Sequence, residues 1–375
     1  MTTLLCSGCG ASYSTSLARW CCDCGNYLRL EGTGMFRPDQ VRGRKAGLWR
    51  YAEALGLTDQ SNAVTLGEGS TPMVRGELSG IPVLFKLDYL HPTGSFKDRG
   101  CAVMISKLRE WGVREVVEDS SGNAGAAIAA YTAAAGIRAD IYIPEYASTG
   151  KAAQIAIYGA NLIRVPGTRE DTAIAAVQAS KHSYYASHNW NPYFISGLKT
   201  LAFEITEQLG WKAPDLVVTP VGGGGLILGL HAGFTDLLRA GVIPRLPRLV
   251  AVQAEKCAPV YHAWSEKLSD VVPVKTGETA AEGISIAHPI KGRDILNAVR
   301  ASNGLVRTVS ESAIWDMVET MGRSGIYIEP TSAAAPAAVA GLAAESQVRP
   351  GESIVVELTG IGLKATDKIL EHARK

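Results

Sequence analysis

The segment His91-Pro-Thr-Gly-Ser-Phe-Lys-Asp-Arg-Gly100 contains a lysine placed to react with a carbonyl group. It follows an apolar run and precedes a helical pattern, with Gly94 as a turn and Ser95 as an N-cap, so Lys97 is predicted in the first helical turn. The positive end of a helix disfavours an ammonium and therefore favours the neutral amine. A neutral amine is what Schiff-base formation requires, although a lysine at a helix start, taken alone, is usually a solvated surface residue.

A second segment, Ser120-Ser-Gly-Asn-Ala-Gly125, follows an apolar run that ends near Val117. Consecutive backbone N–H groups and two hydroxyls at the start of a helix can bind a carboxylate. Asn123 could also donate a hydrogen bond to a phenolate-type oxygen. Taken alone, the segment is equally typical of an N-cap turn with glycines that allow tight packing.

The run Val221-Gly-Gly-Gly-Gly-Leu226 lies between the apolar run DLVVTP and an apolar helical stretch. Four glycines offer unobstructed amides at a helix N-terminus, which is a typical phosphate-binding arrangement. A purely structural turn is the alternative. The run does not complete a GxGxxG pattern, and no Lys-Ser or Lys-Thr follows it, so neither a dinucleotide fold nor a P-loop is indicated.

The fourth segment, Leu358-Thr-Gly-Ile-Gly-Leu-Lys364, follows the apolar run SIVVEL. Gly360, Gly362 and Ala365 fit the loose form of the dinucleotide fingerprint. Ten residues follow Ala365 in the sequence, so we expect no complete βαβ unit and no ribose-binding acid after it.

Five of the seven cysteines lie among the first 25 residues. Cys6-x2-Cys9 and Cys21-x2-Cys24 are separated by 11 residues, and two such turns can place four thiolates tetrahedrally around Zn²⁺. We therefore predict a zinc ribbon with a structural role, because four thiolates leave no open metal position. Free thiols are the alternative, and Cys22 adds a fifth possible ligand close to Cys24.

The elements that must position these segments alternate along the chain. Short apolar runs, namely PVLFKL, REVVED, ADIYIP, NLIRVP, DLVVTP, LVAVQA and SIVVEL, are typical of strands buried on both faces. Helical stretches lie between them, including 123–134, 172–182 and 198–209, whereas residues 26–48 are predicted to be a linker. This alternation predicts an α/β fold with parallel sheets covered by helices.

Composition excludes several classes of protein. The 37 basic and 36 acidic residues give a net charge of +1, which indicates neither a nucleic-acid partner nor an anionic membrane surface. No apolar stretch reaches the roughly 20 residues that span a bilayer. The N-terminus, MTTLLCSGCG, lacks the features of a secretory signal, and the cysteines are not spread as in a disulfide-rich protein. We expect a cytoplasmic protein.

In this order and spacing, the four segments resemble those of the fold-type II pyridoxal-phosphate (PLP) enzymes, and among them the threonine synthases. The resemblance runs from about Asn62 to the C-terminus, and TGSFKDRG and TGIGLK are its most specific parts. It implies two open parallel-sheet α/β domains: a large PLP domain of residues 31–98 and 200–375, and a small domain of residues 99–199, after a zinc-ribbon-like segment of residues 1–30. It also implies a homodimer.

Carried over by motif, the resemblance assigns roles to individual residues. Lys97 resembles the Schiff-base lysine, and Asn123 the residue on the 3′-oxygen of the cofactor. The remaining cofactor-binding residues that it implies are Phe96, Gly222, Gly223, Gly224, Gly225 and Thr359, with Gly222–Gly225 on the phosphate and Thr359 facing the pyridine nitrogen. The implied substrate-binding residues are Ser120, Ser121, Gly122, Asn123, Asn189 and Lys199.

Three positions depart from the threonine synthase pattern. Phe194 stands where those enzymes usually carry an arginine, and the stretch Gly167–Ile174 has Thr168 and Ile174 in place of an asparagine and an arginine. In the family these groups help to hold the substrate phosphate. Arg169 and Lys199 are the cations that could take over this role.

The resemblance therefore implies a PLP-dependent lyase that acts on a small amino acid by elimination or replacement at Cβ or Cγ. The first hypothesis is a threonine synthase-like reaction on O-phosphohomoserine or a related O-activated amino acid. The alternative is a serine or threonine ammonia-lyase, or a β-replacement enzyme of the cysteine or cysteate synthase type. A non-catalytic regulator that binds a partner through its zinc ribbon is a further reading, which the joint presence of the four segments disfavours.

Overall fold

The computed structural model describes residues 2–147, 149–349 and 351–374. The chain forms two compact units. The first unit comprises the chain up to Ser70, His91–Thr93 and Lys97–Thr200; the second comprises Thr71–Leu90, Gly94–Phe96 and the chain from Leu201 onwards. Each unit has its own parallel sheet.

The strands are β1 Thr3–Cys6, β2 Ser12–Ser14, β3 Leu28–Glu31, β4 Met73–Leu78, β5 Ile81–Lys86, β6 Glu115–Glu118, β7 Arg138–Pro144, β8 Asn161–Val165, β9 Tyr184–Tyr185, β10 Leu216–Pro220, β11 Arg248–Ala254, β12 Leu305–Val309 and β13 Ile354–Glu357. The α-helices are α1 Pro38–Val41, α2 Lys97–Glu110, α3 Asn123–Ala135, α4 Thr149–Ile157, α5 Arg169–Ala179, α6 Pro192–Gln208, α7 Gly225–Arg239, α8 Pro259–Ser265, α9 Gly292–Ala301, α10 Glu311–Arg323, α11 Pro330–Ala344 and α12 Thr366–Ala373. Short 3₁₀ helices span Leu48–Ala54, Gln60–Asn62, Asp88–Leu90, Glu282–Ile284 and Gly362–Ala365. No helix of the described residues is long and apolar enough to cross a membrane.

The first unit is built on a parallel sheet with the strand order β8-β7-β6-β9. Its strands carry buried Val116, Val117, Ile141 and Ile143, as expected where helices cover a parallel sheet. The alanine-rich helix α3 packs against both α2 and β7. Its small side chains allow this close approach on more than one side.

The cysteine-rich N-terminus belongs to this unit and forms an antiparallel sheet with the order β2-β1-β3. Trp20 makes edge contacts with the rings of Tyr185 and Trp190, and Trp111 donates its indole N–H to Thr15 O at 2.9 Å. The predicted linker of residues 26–48 is wrong in part, because β3 pairs with β1 along its whole length.

Residues 31–70 also group with the first unit, whereas the sequence pattern assigned them to the large PLP domain. The reason is long-range hydrogen bonding that no local pattern reveals. Val64 N–H donates to the buried Ser106 hydroxyl at 2.7 Å, and Tyr131 donates its hydroxyl to Glu68 at 2.9 Å.

The second unit contains a six-stranded sheet with the order β12-β11-β10-β13-β5-β4, parallel except for the antiparallel edge strand β4. Val218, Val250 and Val356 belong to its main apolar cluster, against which α11 packs. The adjacent Val217, Ala251 and Val355 point to the opposite face and are also buried. The sheet is therefore covered on both faces, which confirms the α/β prediction.

All seven predicted strands are present, and the three predicted helices are present with shifted ends. Helix α5 begins earlier than predicted because Thr168 and Asp171 form a capping box at its start. Helix α6 begins at Pro192, where the Asn191 side-chain oxygen accepts the Tyr193 N–H at 2.9 Å. Polar capping residues thus fix the first residues of α5 and α6, which the apolar pattern did not predict.

Candidate active site and metal centre

Lys97 is the first residue of α2, so it lies in the first helical turn as the sequence predicted. The predicted N-cap at Ser95 is wrong, because its buried hydroxyl makes no hydrogen bond among the described residues. The turn before it is held by the buried Asp98, whose carboxylate accepts hydrogen bonds from the Thr93 N–H at 2.8 Å and from the Thr93 hydroxyl. The Lys97 Nζ lies 5.7 Å from the ring centroid of Phe194, which is only 1% exposed. Gly100 fits against the same ring, because a Cβ at this position would come within 2.5 Å of it. The amine therefore has an apolar aromatic neighbour.

The loop between β6 and α3 contains the predicted carboxylate-binding residues. Its Gly122 is the N-cap of α3 and makes no side-chain capping bond, so the first N–H groups of the helix are not saturated by a cap. Gly125 is required here, because a Cβ would come within 1.9 Å of Ser120 O. The Ser120 hydroxyl accepts the Gly122 N–H at 3.3 Å. The N–H groups at the start of this 13-residue helix point towards the loop and suit an anion.

Two consecutive acids precede this loop, and the sequence pattern did not single them out. Asp119 bonds the Arg169 guanidinium at 2.7 Å and accepts the Tyr185 hydroxyl at 2.8 Å. Glu118 is fully buried and lies 2.8 Å from His188 Nδ1 through its Oε1 atom. Burial raises the pKa of Glu118 well above 4.5, as does the neighbouring Asp119, while Arg169 and Lys97 act in the opposite direction. Charged residues directly after a buried strand, as in REVVED, are the signal that could have identified them.

In the second unit, the glycine run forms the turn between β10 and α7. Gly224 is the N-cap of α7 with a φ of 84°, a conformation that favours glycine, and it makes no side-chain capping bond. A Cβ at Gly222 would lie 2.8 Å from Ile284 Cα, and one at Gly224 would lie 2.2 Å from Ile295 Cδ1. The amides at this helix start therefore suit an anionic group such as a phosphate.

Thr359 follows β13, the strand next to β10 in the same sheet. Its backbone is fixed, since its N–H bonds the Ser332 hydroxyl at 2.9 Å and its carbonyl accepts the Phe96 N–H at 2.9 Å. Its hydroxyl is buried and has no hydrogen-bond partner within the described ranges. A buried hydroxyl without a partner is costly, which indicates that a ligand atom completes this hydrogen bond. Phe96 directly precedes Lys97 in the chain.

Four N-terminal thiols, those of Cys6, Cys9, Cys22 and Cys24, lie within 4.8 Å of one another. The Cys6–Cys24 and Cys9–Cys22 sulfur distances are 3.4 and 3.6 Å. A Zn²⁺ ion about 2.3 Å from four thiolates requires sulfur separations of about 3.8 Å, so the thiols need little adjustment. The Asn26 side-chain amide donates to the Cys24 sulfur at 3.4 Å and lowers the pKa of that thiol to about 6. The thiolate form that a metal requires is thus favoured at this position.

This grouping corrects one predicted ligand. The sequence spacing indicated Cys21 as the third thiol, whereas the structure has Cys22 in the cluster. Cys21 pairs instead with Tyr27 through a backbone bridge. Adjacent side chains in extended backbone point in opposite directions, so the turn can direct only one of the two neighbouring thiols inward.

Comparisons with known proteins are consistent with these local arrangements. The family described as "Pyridoxal-phosphate dependent enzyme" matches residues 64–360. The chain belongs to this family of PLP-dependent enzymes. It is 35% identical over 383 residues to the threonine synthase of Methanocaldococcus jannaschii, covering 99% of this chain and 95% of that protein. It is 38% identical over 333 residues to the threonine synthase of a Synechocystis species, covering 86% of this chain and 84% of that protein.

Solved structures of more distant relatives share the fold. A fungal L-serine ammonia-lyase from Rhizomucor miehei matches with a TM-score of 0.72 and 20% identity, covering 82% of this chain and 98% of that chain. A maize serine racemase matches with a TM-score of 0.69 and 22% identity, covering 92% of this chain and 100% of that chain. Together with the threonine synthase relatives, the family identifies a PLP-dependent lyase that acts by elimination at Cβ or Cγ of a small amino acid.

PLP fits the groups that each unit presents. The second unit has a glycine turn for a phosphate and an orphan hydroxyl at Thr359 for a ring nitrogen. The first unit has Lys97 at the start of α2 and the backbone N–H groups at the start of α3. These groups match, in kind, those that a PLP enzyme needs for the cofactor phosphate, ring and carbonyl carbon.

The remaining residues that were considered for substrate binding lie in the first unit and differ in their exposure and in their hydrogen-bond partners. Lys199 is buried and donates from Nζ to the Thr33 hydroxyl at 3.0 Å. Arg169 is held by Asp119, and Ile174 is 51% exposed on α5. Asn189 is half-buried in the segment that follows β9. Both cations that could replace the missing phosphate donors thus already have partners in the protein.

Proposed function

We propose that this PLP-dependent enzyme catalyses a threonine synthase-like elimination or replacement on an O-activated amino acid whose leaving group is uncharged. The similarity to threonine synthases over nearly the whole chain supports the reaction class. In this proposal Lys97 carries the cofactor, Asn123 bonds its 3′-oxygen, Gly222–Gly225 bind its phosphate and Thr359 bonds its ring nitrogen. Ser120–Gly122 bind the substrate carboxylate. Phe96 contacts the cofactor, and Asn189 and Lys199 contact the substrate.

The chemistry follows from these roles. PLP held by these residues would supply an acceptor for the electron pair of the substrate Cα–H bond. Lys97 receives the Cα proton, because its amine is held beside the reacting carbon. Thr359 offers a neutral hydroxyl, which can hydrogen-bond a ring nitrogen but cannot keep it protonated as an aspartate would. The resulting moderate electron demand favours elimination or replacement over transamination.

One observation supports the choice of leaving group. The buried ring of Phe194 lies 5.7 Å from the Lys97 Nζ, at the position where threonine synthases usually carry an arginine. A phosphate needs several cationic or N–H donors, and neither Phe194 nor Ile174 can donate. Each lost charged hydrogen bond is worth roughly 1.5–3 kcal/mol, so a phosphorylated substrate should bind about 100-fold more weakly or worse. The same observation favours the alternative, namely ammonia-lyase or β-replacement activity on serine or threonine derivatives.

The substrate is tested by a panel comprising O-phosphohomoserine, O-acetylhomoserine, O-phosphoserine, O-acetylserine, serine and threonine. Phosphate, acetate and ammonia release give the specificity constant for each compound. We expect the phosphorylated compounds to rank below their acetylated or unmodified counterparts. A clear preference for O-phosphohomoserine would contradict the proposal and would mean that cations such as Arg169 or Lys199 rearrange to bind phosphate.

The cofactor assignment has its own test. Borohydride should fix PLP to Lys97, as detected by mass spectrometry of the peptide that contains this residue. A Lys97→Ala protein should retain no reducible linkage to PLP, whereas Lys212→Ala, at an exposed lysine, should behave as the unmodified protein does. Reducible PLP on the Lys97→Ala protein would show that another amine carries the cofactor.

We further propose that Cys6, Cys9, Cys22 and Cys24 bind a structural Zn²⁺ ion. The neighbouring Cys21, which the CxxC spacing indicated in place of Cys22, provides a matched control for the Cys22 variant. Cys22→Ser should reduce the zinc content from about one equivalent per chain to a small fraction, while Cys21→Ser should leave it near one. Elemental analysis decides this, and the opposite result would restore the ligand set expected from the CxxC spacing.

The homodimer also remains an expectation, which light scattering of the PLP-loaded protein would test.

A further inference from the structure

The Glu118–His188 pair is a buried polar contact that the proposed reaction does not yet use. Glu118 ends β6, two residues before Ser120, and His188 lies in the segment after the neighbouring strand β9. The pair therefore lies at the same sheet edge of the first unit as the carboxylate-binding loop. The His188 and Phe194 ring centroids are 5.7 Å apart in an edge contact, and the Lys97 Nζ lies 5.7 Å from the same Phe194 ring. His188 and the cofactor lysine thus share one aromatic neighbour.

The two consecutive acids differ in how their charges are balanced. Asp119 is balanced by the Arg169 guanidinium and receives a second hydrogen bond from Tyr185. Glu118 contacts His188 through Oε1, and its Oε2 is buried without a hydrogen-bond partner in the part of the chain that the structure describes. A buried carboxylate with one unsatisfied oxygen is unfavourable, and burial accordingly raises the pKa of Glu118, which favours its protonated form.

We propose that His188, oriented by Glu118, is a second proton-transfer residue, which protonates the leaving oxygen of a hydroxy-amino acid such as serine or threonine. This inference rests on the alternative in the proposed function, which is ammonia-lyase activity on serine or threonine, and it names the residue that protonates the hydroxyl of such a substrate. A hydroxyl is a poor leaving group unless it receives a proton, whereas acetate leaves without one. Because Lys97 receives the Cα proton, a second group such as His188 can serve as the acid for the oxygen.

The proton that the leaving oxygen receives is supplied through both His188 and Glu118. The Cβ–O bond breaks with its electron pair moving to oxygen, and that oxygen takes the proton of His188 Nε2, so that water leaves. The proton on Glu118 Oε1 then moves to His188 Nδ1, and Glu118, now a carboxylate, accepts a hydrogen bond from the Nδ1–H group. Because Arg169 and Lys97 both favour the charged form of Glu118, they stabilise this state, while Asp119 opposes it.

The kinetic test compares substrates that differ only in their leaving group. In His188→Gln, kcat for serine or threonine should fall about 100-fold or more, which is the usual contribution of a general acid. For O-acetylserine the same variant should stay within about threefold of the unmodified enzyme. The exposed His182 provides the control, and His182→Gln should leave both substrates unchanged. Equal losses for both substrates would assign His188 a merely structural role and overturn the proposal.

A second readout does not depend on turnover. Histidine-selective NMR of the PLP-loaded protein, with the His188 signal assigned by its absence in His188→Gln, should show ring shifts that follow pH. Glu118→Gln should alter that pH dependence and leave the His182 signal unchanged. A His188 signal that is unaffected by Glu118→Gln would overturn the coupling.

The outcomes also separate this inference from the proposed function. An enzyme that turns over O-acetylserine but neither serine nor threonine overturns only the inference. A protein that binds PLP but turns over no member of the substrate panel overturns the proposed function.

Discussion

Two buried charged clusters in this protein have opposite characters. In the first unit, the acid–histidine cluster consists of Glu118, Asp119, Arg169, Tyr185 and His188. In the second unit, the lysine cluster consists of Thr71, Lys86, Asp88, Glu204 and Gln208. Lys86 Nζ donates to Glu204, to Thr71 O at 2.6 Å and to Gln208 at 2.9 Å, which uses all three of its donors.

The two clusters differ in how many of their buried polar atoms have a hydrogen-bond partner. The lysine cluster is closed, because Thr71 also donates to Asp88 at 2.6 Å and Gln208 donates back to Thr71 O at 2.8 Å. The acid–histidine cluster is open, since Glu118 Oε2 has no partner among the described residues and the Arg169 side chain is 45% exposed. A closed buried network contributes to structure alone, whereas an open one retains capacity to bind a ligand or exchange a proton.

The largest expected effect tests whether the lysine cluster is purely structural. Lys86→Met removes a buried cation from beside Glu204, so the free energy of unfolding should fall by about 3–5 kcal/mol. PLP bound per folded chain should not change. Urea unfolding and the absorbance of the bound cofactor measure the two quantities.

Two further proteins control this prediction. Lys212→Met, at an exposed lysine, should change stability little. The double variant Lys86→Met, Glu204→Met should recover much of the loss, because both charges are removed together. A loss below about 1 kcal/mol in Lys86→Met would show that the cluster is not the closed network inferred from its hydrogen bonds.

An intermediate effect is expected from the pH dependence of the acid–histidine cluster. Burial raises the pKa of Glu118 in the folded state above 4.5, so the folded protein binds this proton more tightly than the unfolded chain does. Its contribution to stability is therefore complete below pH 4.5 and is lost as pH rises through the folded-state pKa. Glu118→Gln should become progressively more stable relative to the unmodified protein as pH rises, by about 1.4 kcal/mol for each unit of the pKa difference.

Unfolding free energies measured between about pH 5 and 8 check this sign. Glu115→Gln is the control, because Glu115 lies on the same strand with a side chain that is 44% exposed. Its stability difference should stay nearly constant over the same range. A Glu118→Gln difference that shrinks with pH would mean that Glu118 is charged in the folded protein.

The smallest expected effect concerns the Thr359 hydroxyl of the second unit, which has no hydrogen-bond partner among the described residues. Thr359→Val keeps the shape but removes the unsatisfied hydroxyl, so the protein freed of PLP should gain about 1 kcal/mol of stability. PLP affinity should fall by up to about tenfold, because one neutral hydrogen bond is lost. Thr359→Ser should retain the affinity. If Thr359→Val destabilised the PLP-free protein, the hydroxyl would have a protein partner and would not be reserved for a ligand.

Much of the fold followed from local sequence patterns. Apolar runs such as DLVVTP and SIVVEL can be buried on both faces only in a parallel sheet, and they became β10 and β13. Lys97 at the start of α2 and Gly224 at the start of α7 were predictable from the sequence, because helix starts and left-handed turns restrict residue type strongly.

Features that depend on distant packing were not predictable in this way. The spacing of the cysteines favoured Cys21, but the direction of the turn placed Cys22 in the thiol cluster. Lys199 is predicted to contact the substrate, and its hydrogen bond to Thr33, 166 residues away in the chain, could not be predicted. In both cases the choice depends on which atoms the fold brings together, and local sequence does not encode that distance.

By itself, the sequence determined the α/β class, the order of the four segments and the position of Lys97 in a first helical turn, because local backbone preferences and apolar periodicity are short-range properties. Only the tertiary structure decided that Glu118 pairs with His188, that Asp119 is neutralised by Arg169, and that the Thr359 hydroxyl is buried without a partner among the described residues. Burial and charge balance are sums over neighbours from distant parts of the chain, so they exist only once the chain has folded.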